Sequence, residues 1–313
     1  MCEQVNNAMD EKKTVAGVVI SDIAGGYVEA AAENGVATLV CRVEESERQT
    51  VSWCDVLSGV VAGQTAIAEY KLLFEKGVRS QVVVDINDAV RGDLNSLFVE
   101  VGSGADVDIV ITQNTAKNAS QKLSVVVDVK DNARMSLSTI ILGSDSTSDD
   151  ITVNMQGEHS SATLNGLYMQ GGNAHTTTQV CMNHLVPHCH SNQLFKGIVG
   201  EEAFCEFKGL IRVSPNAQKT EAFQTNRNML LSESARVKAE PHLEIYADDV
   251  KCSHGATSGQ LDAQQLFYMQ QRGISAEMAK KLLMAAFAAE VVEKIPVESV
   301  RETLLAQLTN IED

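Results

Sequence analysis

Long apolar runs are missing from this 313-residue chain, and none approaches the roughly 20 residues that a transmembrane helix needs. No span is expected. The first residues, MCEQVNNAMDEKKTV, lack a basic start followed by an apolar stretch, so no secretory signal is expected and the chain reads as cytoplasmic. Basic residues are scarce as well: 25 Lys and Arg stand against 41 Asp and Glu, a formal net charge of −16. Phosphate backbones and anionic lipid both call for a basic face, so neither nucleic acid nor membrane is an expected partner. The seven cysteines (Cys2, Cys41, Cys54, Cys181, Cys189, Cys205 and Cys252) are odd in number, and no two are spaced as C-x-x-C. Neither a disulfide framework nor a zinc ribbon is expected, and the thiols read as reduced. Familiar catalytic motifs are absent too. Gln218-Lys219-Thr220 resembles the end of a phosphate-binding loop without its glycines. Gly102-Ser103-Gly104 is a lone G-x-G inside a β run, and no G-x-S-x-G elbow exists.

Hydrophobic residues make up 44% of the chain and charged residues 21%, the balance of a globular protein. The length allows two domains, or one long domain with an appendage. Residues 1–30 read as a polar lead-in with one apolar run at 15–20. From 31 to 259 short β segments follow one another, among them QVVVDI at 81–86, SLFVEV at 96–101 and DVDIVI at 106–111. Valine and isoleucine alternate with polar residues, the period-2 mark of half-buried strands. No helical stripe interrupts residues 81–260, which argues against an alternating βαβ fold.

A weak internal repeat runs through this region. A polar or glycine turn leads to an alanine and then to alternation: GSGADVDI at 102–109, KDNARMSL at 130–137, EHSSATLN at 158–165, GEEAFCEF at 200–207 and SESARVKA at 232–239. The alanines are 105, 133, 162, 203 and 235, with gaps of 28, 29, 41 and 32. Stacked solenoid turns give such a spacing, because each rung buries its aliphatics only against the rungs above and below. The expected fold is mainly β, a parallel β-helix over 31–259. A β-sandwich is the alternative, but its hairpins call for regularly spaced Asn-Gly or Asp-Gly turns, and only Asn34-Gly35 and Asn165-Gly166 occur.

The texture changes at residue 260, where a small α-helical region begins and runs to 313. Asp262 is placed to cap a first helix and Gly273 to end it. Ser275 is placed to cap a second helix from 276 to about 294. Its apolar positions Met278, Leu282, Ala285, Ala286, Ala289 and Val292 fall at helical spacing. Pro296 precedes a third helix over 298–308. Such helices can cap the open edge of a solenoid or present an amphipathic face to a partner.

Two clusters carry ligand chemistry. HLVPHCHS places His184, His188, Cys189 and His190 within seven residues. A strand there puts His188 and His190 on one face and Cys189 on the other, so the four converge only through a tight turn. The second cluster, ADDVKCSHGATSGQLD at 247–262, holds Cys252 and His254. On a strand these two share a face, roughly 6–7 Å apart. Two ligands do not complete a tetrahedral site, so others must come from a neighbouring rung or another chain; otherwise Cys252 is a packing residue and His254 a turn residue.

Residues 218–275 carry a resemblance. QKT at 218–220, NMLLS at 228–232, PHLEI at 241–245, ADDVKCSHGAT at 247–257, FY at 267–268 and RGI at 272–274 follow one another as in the SufB/SufD family of iron–sulfur cluster assembly proteins. Gly255, where the SufB branch has a glutamate, places the likeness closer to SufD. The resemblance implies a right-handed parallel β-helix with C-terminal helices. It implies a complex with a SufB-like paralogue and with SufC, an ABC-type ATPase. The β-helix end would meet SufB, and His254 would face SufB's essential cysteine where a nascent cluster forms. The helices would receive SufC, with Phe267, Tyr268, Arg272, Leu282 and Phe287 as candidate contacts. The cluster would be a transient cargo, with no permanently bound cofactor. Family members usually carry a helical region before the β-helix; little or none is expected here.

The leading expectation is a non-catalytic scaffold subunit, homodimeric when isolated. A carbohydrate-active β-helix enzyme using Asp248 and Asp249 is the runner-up, weakened because adjacent strand residues face opposite ways and cannot flank one bond. A homo-oligomeric interaction protein without a metal role is the third reading.

Overall fold

A computed structural model describes the strand segments 13–15, 18–23, 26–33, 36–43 and 50–52, then residues 67–309 except 87–95, 116–119 and 144. Side chains are described from Tyr70 onward, save 85, 115 and 309. Residues 1–12 and the side chains of Cys2, Cys41 and Cys54 lie outside the described residues.

The described strands, in chain order, are β1 (Lys13–Val15), β2 (Val18–Ile23), β3 (Gly26–Glu33), β4 (Val36–Val43), β5 (Thr50–Ser52), β6 (Ile67–Phe74), β7 (Arg79–Ile86), β8 (Ser96–Val101), β9 (Asp106–Thr115) and β10 (Ser120–Val129). Then follow β11 (Arg134–Gly143), β12 (Ser146–Met155), β13 (Ser161–Gln170), β14 (His175–His184), β15 (His190–Val199), β16 (Phe204–Val213), β17 (Glu221–Leu230), β18 (Arg236–Ile245) and β19 (Lys251–Gln260). From β4 onward the chain alternates between two sheets. Sheet one runs β1-β2-β3-β4-β6-β8-β10-β12-β14-β16-β18, and sheet two runs β5-β7-β9-β11-β13-β15-β17-β19. The first pairings, β1 to β4, are antiparallel. All later ones are parallel, as in β10 with β12 and β17 with β19. This is a β-solenoid, the mainly β, parallel β-helix that the alternation and repeat predict.

In-register stacking builds the core. One inward column of sheet one reads Val99, Val127, Val153, Met182, Ile211 and Leu243, one residue per rung. The first five are fully buried. Each such side chain contributes on the order of 1.5–3 kcal/mol relative to exposure.

The corners explain the repeat. Gly77, Gly104, Asn132, His159, His188 and Lys219 all have positive φ, between 55° and 76°. Each is followed by a buried residue that enters a sheet-two strand: Val78, Ala105, Ala133, Ser160, Cys189 and Thr220. Where the corner residue is polar its hydroxyl satisfies the turn, as in Ser160 Oγ to Gly157 O (2.7 Å) and Thr220 Oγ1 to Ala217 O (2.9 Å). Gly157 has no substitute there, since a Cβ would lie 1.8 Å from the Asp131 backbone nitrogen. The sequence repeat mixed two series: Ala105 and Ala133 sit at sheet-two corners, while Ala203 and Ala235 enter sheet one. The gap of 41 is the change of corner. Within one sheet, hydrogen-bonded side chains of paired strands lie 26 to 32 residues apart, which is the rung repeat.

Three helices follow: α1 (Ala263–Gln271), α2 (Ala276–Val292) and α3 (Glu298–Thr309). Asp262 accepts hydrogen bonds from the Gln264 and Gln265 backbone nitrogens, and Ser275 from that of Met278, as the capping residues predict. α2, with α3 packed beside it, lies on the outer face of sheet two. Met284, Ala288, Val291 and Val292 of α2 pack with Val110, Ile140, Leu167, Leu194 and Ile198 of the sheet. The apolar stripe read from the sequence is therefore corrected. Met278 and Leu282 are 48% and 41% exposed, because α2 is apolar on two faces and the sheet takes the other one. No helix among the described residues is long and apolar enough to cross a membrane.

Candidate functional site

β18 and β19 form the last rung, and no described strand lies beyond either. Register carries the inward columns of sheet two onto β19. Ala222 is matched by Cys252, Gln224 by His254, Asn226 by Ala256 and Asn228 by Ser258. The β17 members are buried. Their β19 successors are exposed, except Cys252, which is half-buried against the core. Cys252 and His254 thus share a face, as the strand spacing predicts. That face is the inward face of the solenoid, with no rung above it among the described residues. Burial pushes the Cys252 thiol above its ordinary pKa, opposed by a hydrogen bond with the Ala222 backbone. The other face of the rung carries pairs exposed to solvent, Lys251 with Glu221 (2.7 Å) and Asp249 with Lys219.

The floor beneath this rung is polar. Gln224 Nε2 donates to Gln193 Oε1 (2.9 Å), and Asn228 Nδ2 donates to Asn226 Oδ1 (2.7 Å) and lies 3.4 Å from Ser258 Oγ. The Tyr168 hydroxyl donates to Asn228 Oδ1 (2.5 Å). Sequence reading missed these residues. Their signal was amides at the inward parity of β15 and β17, where earlier strands of the same sheet carry aliphatic residues.

The sheet-one half of the rung differs. Val237, Ala239, Pro241 and Leu243 continue the inward columns of Cys205, Phe207, Gly209 and Ile211, and are only half-buried. Ile245 and Tyr246 at its end are 39% and 62% exposed.

The other histidines do not join the rung. His184 occupies an aliphatic column between Met155 and Val213, fully buried, with Nε2 2.8 Å from Ser191 Oγ. Burial first, and His190 second, lower its pKa to about 4. His188 holds the positive-φ corner and stacks on His159, ring centroids 4.8 Å apart. Cys189 is the buried corner residue, and His190 is exposed at the start of β15, 3.8 Å from Glu221. The run His188-Cys189-His190 is thus the turn frame of one rung, and Gln218-Lys219-Thr220 is the same frame one rung later. Among the described residues no group of three His, Cys, Asp or Glu is placed to hold a metal ion. The described cysteines are all free.

On the helices, Phe267 and Tyr268 are 61% and 59% exposed, and Arg272 lies over the Tyr268 ring at 5.0 Å. With Met278 and Leu282 they are the exposed large apolar residues of the helical flank. Phe287 turns towards the sheet instead. Its ring lies 4.1 Å from Lys196 Nζ, which also donates to the Phe287 carbonyl (2.8 Å) and pairs with Glu290 (2.5 Å).

Fold and site together define the class: a parallel β-solenoid with one uncovered rung and a helical flank. The family model for the SUF system FeS cluster assembly SufBD core domain matches residues 59–287, well over half of the chain. This chain belongs to the SufB/SufD family of iron–sulfur cluster assembly proteins, on its SufD side. It is 39% identical to the iron–sulfur cluster assembly protein SufD of Escherichia coli over 168 residues, 54% of this chain and 40% of that one. To a SufBD family protein of Synechocystis it is 34% identical over 214 residues, 67% of this chain and 47% of that one. To SufD of Bacillus subtilis it is 38% identical over 110 residues, 35% of this chain and 25% of that one. The chain spans less than half the length of each of these relatives.

Proposed function

We propose that this chain is a SufD-like, non-catalytic scaffold subunit acting in the cytosol. Its partners are a SufB-like paralogue at the open rung and the SufC ATPase at the helical flank. The iron–sulfur cluster is its cargo, assembled across the first interface and not retained. One observation carries this reading: Cys252 and His254 lie on an inward-type face with nothing above it. A strand or rung from a second subunit would bury them, and they supply half of a ligand set that the chain does not complete alone.

His254 is the main contributor. A neutral imidazole is ligand-competent near pH 7, whereas a thiol whose pKa is raised stays protonated there. The test is anaerobic reconstitution with iron and sulfide on the SufB–SufC–SufD complex, read by the visible absorbance of the cluster. His254→Ala is expected to leave folding and complex assembly intact and to lower cluster yield several-fold. Cys252→Ser is expected to be milder. A wild-type yield from His254→Ala would return His254 to a structural role.

A further inference from the structure

One inward column of sheet two changes character towards the open end. Val82, Ile109, Leu137 and Leu164 are succeeded by Gln193, Gln224 and His254, each one rung above the last in register. Both glutamines are fully buried. Gln224 spends its amide N–H on Gln193 Oε1, at 2.9 Å. Its own Oε1 has no hydrogen-bond partner among the described residues. A buried acceptor left without a donor is destabilising, so the rung above is where a donor is wanted. The amide is also given its place from across the solenoid. Gly209 of β16 faces it, and a Cβ on Gly209 would fall 2.3 Å from Gln224 Oε1 and 2.4 Å from Nε2.

We infer that Gln224 is a positioning residue for His254. Neighbouring strands lie about 4.8 Å apart, so an imidazole one rung above is within reach of the amide oxygen. The two side chains are not hydrogen-bonded in this structure, and His254 is exposed, so a turn of its imidazole is what brings one ring N–H onto Gln224 Oε1. That fixes the tautomer and leaves the other ring nitrogen bare and directed out of the open rung. Metal-binding histidines use the same division of labour, donating one ring N–H to a carbonyl while the other nitrogen binds the metal. The inference rests on the reading of His254 as a cluster ligand, and the bare nitrogen is the one that would meet iron.

The experiment uses the full chain with ¹⁵N-labelled imidazoles at about pH 8, above the ordinary imidazole pKa of about 6.5. Long-range ¹⁵N–¹H correlations report the tautomer, and His254 is assigned by its loss in His254→Ala. The wild type is expected to show one predominant His254 tautomer. Gln224→Leu should shift it to the mixture of a free imidazole. Gly209→Ala, which keeps the amide but displaces it, should shift it the same way. In the assembled complex Gln224→Leu should lower cluster yield about tenfold or more, with partner co-purification unchanged. A free-imidazole mixture in the wild type overturns the inference without any variant, and so does an unchanged tautomer in folded Gln224→Leu. If the tautomer responds while His254→Ala retains full cluster yield, the positioning stands and the cluster-ligand reading falls.

Discussion

At the residue scale, interior polar groups set the pH behaviour. Asp149 is buried inside the solenoid, and Gln113 Nε2 donates to its Oδ2 at 2.7 Å. Burial raises its pKa to about 7 from 3.8, with the Gln113 bond opposing. The neutral acid is the form the fold favours, so the wild type loses stability as pH rises from about 4 through 7. Asp149→Asn carries no such penalty. Its melting-temperature advantage over the wild type should be small at pH 4 to 5 and grow to a plateau above pH 7. A chain somewhat above this size class gains roughly 2–4 °C per kcal/mol, so a rise of a few degrees is expected in thermal scans. An advantage that does not vary with pH would sink the idea. His184 works the other way: its lowered pKa penalises the fold as pH falls from about 6.5 towards 4. Asp149 did not stand out in the sequence, and His184 did so only as a candidate metal ligand, because a one-residue offset decides whether a polar side chain faces solvent or core. Cys252 and His254 were legible as a pair because the period of a strand fixes their shared face. The role of His188-Cys189-His190 was not, because a left-handed corner has no fixed residue type when histidine, asparagine, glutamate and lysine all occupy it here.

At the element scale, the helices do two jobs with two faces. The inner face of α2 covers Val110, Ile140, Leu167, Leu194 and Ile198 and places Glu290 against Lys196 and Arg227. Lys196→Met removes the side-chain donor that the Phe287 carbonyl has besides its helical bond, and leaves Glu290 with Arg227 alone. A loss of about 1–3 kcal/mol in urea unfolding is expected, and no loss would show the contact to be incidental. The same packing corrects a tempting experiment. Truncation after Gln260 would bare that apolar face of the sheet and promote aggregation, so it cannot isolate a binding role. Point changes on the outer face can. Phe267→Ala with Leu282→Ala should weaken SufC co-purification at least tenfold without lowering thermal stability, and undiminished capture would rule this face out. The extents of the helices were legible from Asp262, Ser275 and Gly273. The face that packs was not, because both faces of α2 are apolar and only the sheet's own outer residues choose between them.

At the scale of the whole molecule, the solenoid was legible because turn frame and alternation recur together. The two-sheet alternation was hidden by the alanine series switching corners. The terminal rung has two strands of ten residues, each with an unpaired edge. Long exposed edges invite pairing with another chain. The isolated protein is therefore expected to form a homodimer through β18 and β19. Light scattering that shows only monomer at micromolar concentration would count against it, and Leu243→Lys should shift the dimer towards monomer. The order of rungs in space is also the order of the chain. During synthesis at about 5–20 residues per second, each rung completes within seconds of the one that templates it. Every rung is in turn the growing tip, protected only by the arrival of the next. The strand that carries Cys252 and His254 is thus the last of the described strands to be laid down, and the surface proposed to meet a partner would exist only on a chain whose earlier rungs have already folded. On the proposed reading, competence to assemble would report that translation of the solenoid finished correctly.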